Sequence, residues 1–127
     1  MRIMRVYTGS DQRSYFEDLE APERVVTGSH MSMDDSLPVL GGRFSSVSAG
    51  KAIERHTAPR RQFLIFLAGR VEIECAGGSR TAGPGDVVLA DDLTGEGHIT
   101  RILEDVKSFV VPLDETYDLT SWRKDGA

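Results

Sequence analysis

Apolar residues in this chain fall in short runs, and most of the runs alternate with polar ones. Arg2 to Thr8 alternates around Ile3, Met4 and Val6 and is stopped by Gly9-Ser10-Asp11. Arg43 to Ser48 reads as a strand between Gly41-Gly42 and Gly50. Phe63 to Leu67 is wholly apolar. Arg70 to Cys75 sets Val71, Ile73 and Cys75 on one face and Arg70, Glu72 and Glu74 on the other, the period of a half-buried strand. Ala68-Gly69 between these two runs predicts a hairpin. Arg80 to Ala82, Val87 to Ala90, His98 to Ile102 and Lys107 to Leu113 are further strands, separated by Gly77-Gly78-Ser79, Gly83-Pro84-Gly85-Asp86 and a polar loop from Asp91 to Gly97. Helical spacing is confined to Phe16–Leu19 and Leu119–Trp122, each long enough for one turn. Pro22 to Gly42, rich in Ser, Asp and Gly, reads as a loop. Strands at this spacing predict an all-β sandwich or barrel.

Composition narrows the picture. The 127 residues suit one domain, and 13 glycines with 5 prolines agree with many short elements. The net charge of -5 removes the basic footprint expected of a nucleic-acid binder. No apolar run approaches a membrane span, and Met1-Arg2-Ile3-Met4-Arg5 is not followed by the apolar stretch of a signal peptide. A cytoplasmic protein without nucleic-acid or membrane partners is the expectation. Cys75 has no second cysteine to pair with and continues the Val71-Ile73 core face.

Candidate chemistry lies at the turns. Two of the three histidines follow glycine-marked segments: Gly50, His56-Thr57-Ala58, Gln62 and Gly69 in one, Gly85-Asp86 and Gly95-Glu96-Gly97-His98 in the other. This pattern resembles the two motifs of the cupin superfamily. The first motif keeps every spacing. In the second, Asp91 takes the proline position and the loop is about two residues longer than usual. The resemblance covers Gly50 to roughly Ile102. It implies a cupin-type double-stranded β-helix, or jelly-roll barrel, with an N-terminal strand and little helix. The expected organisation is one cupin domain over 1–127, with its motif core at 43–113, an N-terminal strand and loop at 1–42, and a short C-terminal tail at 114–127.

Cupins often hold a divalent metal on two histidines and a glutamate of the first motif and a histidine of the second. Carried over, the resemblance makes His56, Gln62 and His98 the metal positions, with Ala58 where the second histidine would stand. Imidazole suits iron, zinc and nickel, and manganese is also open. A carboxylate must then come from elsewhere. Glu54, two residues before His56 on a strand, shares its face and is the candidate catalytic group; Glu96 is the alternative. Arg60 is a candidate to fork a substrate carboxylate, and Arg61 stands beside it. His30, in the loop, reads as a surface residue. The Asp91-Asp92 pair and Glu96 read as a solvated acidic loop.

If Gln62 points inward, Leu64 and Phe66 share its face and line a small-molecule pocket. Phe63, Ile65 and Leu67 then face out and require cover: a second sheet layer, the N-terminal strand or another subunit. Small cupins commonly dimerise, so a homodimer is expected. Two function classes stay open: a metal-dependent enzyme on a small organic molecule, and a non-catalytic ligand-binding or accessory barrel. Oxygenase, isomerase and lyase chemistry are not separable, because fold does not fix reaction.

Overall fold

The computed structural model describes residues 1–24, 28 and 36–123; His30 and most of the Pro22–Gly42 loop lie outside them. Eight strands follow in order: β1 Arg2–Thr8, β2 Ser14–Glu20, β3 Arg43–Val47, β4 Ala52–His56, β5 Gln62–Cys75, β6 Gly78–Ala82, β7 Val87–Asp91 and β8 His98–Pro112. A 3-10 turn at Thr120–Trp122 is the one helical element among the described residues, and none of their helices is long and apolar enough to cross a membrane.

β5 and β8 organise the rest. They pair antiparallel over almost their whole lengths, from Gln62 against Pro112 to Glu74 against Ile99. The N-terminal half of β5 also pairs with β7, and its C-terminal half with β6. β8 pairs with β3 through its C-terminal half and with β4 through its N-terminal half. One side of the molecule is therefore β2-β1-β7-β5-β8-β3, and the other is built from β6, β5, β8 and β4. Only the bent β5–β8 ribbon belongs to both. This is the jelly-roll barrel expected from the strand spacing, with the first sheet extended by the β1–β2 pair.

Two expectations at this ribbon are corrected. Ala68-Gly69 is not a hairpin turn: Phe63–Leu67 and Arg70–Cys75 belong to one strand, whose register shifts between Phe66 and Val71. The shift changes which alternate residues face inward. Gln62, Leu64 and Phe66 face the cavity before it, and Val71 and Ile73 after it. Extra residues in a bulge do this because side-chain direction alternates with period two. Likewise His98–Ile102 and the run from Lys107 belong to one strand, which ends at Pro112, one residue short of the expected Leu113. Gly69 carries the bend. Its φ is +84°, and a Cβ there would stand 2.1 Å from the Asp105 carbonyl oxygen. Phe16–Leu19 is also strand rather than helical turn: β2 pairs with β1 from Arg2–Glu20 to Thr8–Ser14, and this long-range ladder overrides a weak local preference.

Two apolar clusters result. One fills the barrel, with Val6, Phe66, Val71, Val88, Ile102 and Val106 among its members. The second lies on the outer face of the first sheet, where Phe63 and Leu89 meet Leu19, Leu113, Leu119 and Trp122. Trp122 is 1% exposed and stacks on Phe63 at 6.4 Å between ring centres. The cover required by Phe63 and Ile65 thus comes from the chain's own C-terminal segment together with the N-terminal strands. Leu67 remains exposed, as do Leu40 and Phe44.

Ions hold that segment in place. Asp91 is buried between two arginines, accepting from Arg5 Nε at 2.8 Å and from Arg61 Nε and Nη2 at 2.9 and 3.1 Å. Arg61 Nη1 donates onward to the Tyr117 carbonyl at 2.9 Å. A buried carboxylate requires such partners, because an unpaired one costs several kcal/mol of desolvation.

Gly69→Ala should cost roughly 3 kcal/mol or more, combining positive-φ strain with a backbone clash. Gly78→Ala, also at positive φ but facing open space, should cost about 1 kcal/mol. Urea denaturation of the two variants checks this, and equal losses would mean that Gly69 is no close-approach point.

Candidate functional site

The space between the sheets is a cavity of about 200 Å³. Its polar end lies where several strands begin or stop. β4 ends at His56, β5 begins at Gln62, β7 ends at Asp91 and β8 begins at His98. β3 starts at the same end, with Arg43 opposite Val110. His56, Gln62, His98, Leu64 and Phe66 all line this one cavity. The walls away from the histidines are mainly Val, Leu, Ile and Phe, the usual composition of a small-molecule site.

The two histidines are cross-strand partners, with ring centres 4.5 Å apart. Gly97 permits the approach. Its φ is +77°, and a Cβ would stand 2.0 Å from the His56 carbonyl oxygen, so only glycine lets the 92–97 loop lie against His56 before His98 enters β8. Each ring is anchored through Nδ1. His56 Nδ1 is 2.7 Å from the Glu54 carbonyl oxygen, an acceptor that fixes the proton on Nδ1. His98 Nδ1 is 2.6 Å from Asp92 Oδ2, which also accepts from Ser14 Oγ at 2.7 Å. Both rings therefore keep the Nε2 lone pair for another partner.

Asp92 was expected in a solvated loop; it is 0% exposed. Its backbone carbonyl accepts from Ala58 N–H at 2.9 Å, joining the two motif loops. Its Oδ1 and the Oε1 of Gln62 are buried without a hydrogen-bond partner. Nothing in the residue pattern distinguished Asp92 from Asp91. Ser14, 78 residues away in the chain, is a partner that only the fold supplies.

The remaining candidates lie elsewhere. Glu54 is exposed on β4 and does not line the cavity. The register shift between Ile53 and His56 is the reason: it turns both of those residues inward and breaks the simple alternation that paired Glu54 with His56. Glu96 is on the surface, 3.7 Å from Arg13. Arg60 is exposed beside the cavity, in a neighbouring recess of about 150 Å³, and Arg61 is committed to Asp91 and the C-terminal segment. The arginine that lines the main cavity is Arg43. Cys75 is buried, and burial pushes its thiol pKa up, which suits a core residue.

The fit to a metal ion can be tested on these donors. The two imidazoles stand side by side on the cavity wall, with ring centres 4.5 Å apart. The Nε2 atoms and the unpartnered Gln62 Oε1 are neutral donors, a type that suits a borderline divalent ion better than magnesium or calcium. Among the described residues no group of three or more His, Cys, Asp or Glu is placed to hold a metal, so no carboxylate joins the set directly.

No protein-family model and no curated protein matches the chain. Solved structures do match. A conserved protein of unknown function from Streptococcus pyogenes aligns with TM-score 0.50 and 16% identity over 77% of this chain and 100% of its own. An RmlC-like cupin family protein with a double-stranded β-helix fold from Methanocaldococcus jannaschii aligns with TM-score 0.49 and 11% identity, over 71% of this chain and 93% of its own. A cupin 2 conserved barrel domain protein from Salinispora arenicola gives TM-score 0.47 and 20% identity, over 75% and 90%. Identities this low speak to fold alone. By its strand order and its bent central ribbon, the chain is a small jelly-roll barrel.

Proposed function

We propose that the barrel is a metal-dependent enzyme acting on a small organic molecule, with a divalent ion held by His56, His98 and Gln62. The observation that carries this reading is the set of unused donors at one end of an apolar cavity: the Nε2 atoms of two Nδ1-anchored histidines and the buried, unpartnered Gln62 Oε1. Leaving such an oxygen without a partner costs about 1–3 kcal/mol, which a ligand would recover.

The missing carboxylate is supplied, in this reading, from behind the ring. Asp92 accepts the Nδ1 proton of His98, and Ser14 holds the same carboxylate oxygen in place. A carboxylate–histidine pair of this kind fixes the tautomer and makes Nε2 a better donor. It also places a negative charge near an otherwise neutral donor set. Glu54 contributes its backbone carbonyl, which orients His56, and not its side chain. Leu64, Phe66 and Val88 exclude water from the ligand's apolar part. A bound divalent ion would supply Lewis acidity toward an oxygen of the ligand.

A metal-free binding barrel is the second reading, favoured by the lack of a three-member His, Cys, Asp or Glu cluster among the described residues. Metal analysis of protein purified without an affinity tag separates the two. The enzyme reading expects bound metal, and a melting temperature that rises with added iron, zinc, nickel or manganese. His98→Ala should abolish that rise. Content below about a tenth of an equivalent, with no rise for any of the four ions, would leave the binding barrel instead.

Asp92→Asn should weaken metal affinity roughly ten- to hundredfold, whereas Glu54→Gln should leave it unchanged. Metal titration followed by melting temperature reads both. A loss on Glu54→Gln with none on Asp92→Asn would reverse the assignment.

A further inference from the structure

Arginines in this acidic chain are mostly engaged. Arg2 and Arg80 meet Asp18, Arg5 and Arg61 meet Asp91, and Arg101 meets Glu72 and Glu74. Among the described residues, no ion pair is given to Arg43, Arg55, Arg60 or Arg70, and of these Arg43 and Arg60 stand together. They line one recess of about 150 Å³. That recess shares Arg43 and Val110 with the wall of the main cavity, so the two spaces adjoin. The carboxylates nearest in sequence to this end of β7 are occupied: Asp91 by two arginines, Asp92 by Ser14 and His98.

We propose that Arg43 and Arg60 form an anion-recognition pair at the mouth of the barrel, and that its ligand is a small organic carboxylate with an apolar body. The inference rests on the reading of the barrel as a small-molecule site and names the ligand's class. Two planar guanidinium groups with free donors suit a carboxylate, which one arginine can grip in bidentate fashion. The neighbouring cavity supplies the complementary half. Val110, Leu64, Phe66 and Val88 accept an apolar chain, while Ser45 and Ser108 are the polar positions on the Arg43 side. A local cationic pair also offsets the overall charge of -5, which is unfavourable to an anion's approach. Arg43 can do this without harm to the fold, since it is exposed at the start of an edge strand.

The test is calorimetric titration of the full chain with straight-chain carboxylates from butanoate to octanoate, and with the matching neutral amides. Carboxylates should bind at least about tenfold more tightly than their amides, the fold-change carried by a hydrogen bond to a charged group. Arg43→Gln should erase that preference, Arg60→Gln should reduce it, and Arg43→Lys should restore part of it. Melting temperature should stay unchanged in all three variants, and amide affinity should fall less than carboxylate affinity. Equal binding of carboxylates and amides overturns the anion pair and leaves the pocket reading standing. A carboxylate preference that survives both glutamine variants also overturns it, because the charge is then read elsewhere. No binding by either series removes the pocket reading and this inference with it.

Discussion

The close approach of Gly69 to the Asp105 carbonyl is the constraint on which the rest of the molecule depends. There β5 and β8 bend together, and the register of their ladder shifts. The bend lets one ribbon serve two sheets, and the two sheets enclose the cavity. It also resets the alternation of β5, so that Gln62, Leu64 and Phe66 and then Val71 and Ile73 all face inward. A straight ribbon would send one of these sets to the outside, because alternation has period two.

Two adjacent carboxylates then divide the work at the end of β7. Asp91 closes its β-strand and meets Arg5 and Arg61, so it ties the C-terminal segment to the outer face. Asp92 meets Ser14 and His98 and orients the cavity. Consecutive residues of extended chain point in opposite directions, so neighbours in sequence can belong to different sites. Each is buried and needs its partners, and Arg5, Arg61 and Ser14 come from far along the chain. Trp122 and Phe63 cover the face that Arg61 anchors.

Much of the fold was legible in the residue pattern, and for an identifiable reason. Glycines at motif spacing mark points where backbone must meet backbone, and Gly69 and Gly97 are two such points. Alternation gave β1 its bounds and assigned Val71 and Ile73 to the core. What local pattern could not show was continuity. A bulge and a hairpin turn use the same small residues, so one bent strand was read as two at Ala68-Gly69. The same ambiguity misplaced Glu54, since the register shift at Ile53–His56 leaves no mark in the sequence. Arg43 and Asp92 were missed because their meaning lies in what surrounds them: a guanidinium lining the cavity in one case, a buried carboxylate in the other.

The sequence by itself determined the all-β architecture, because turn glycines and strand alternation are local properties, and its resemblance to the cupin motifs implied His56, Gln62 and His98 as a group, which line one cavity. Among the described residues, the tertiary structure decided which charges are paired and which are not. It buried Asp92 behind His98, committed Arg61 to the C-terminal segment, and left Arg43 and Arg60 at the mouth. That division follows from physics: an ion's role is set by its partners and its solvation, and both come from residues distant in the chain.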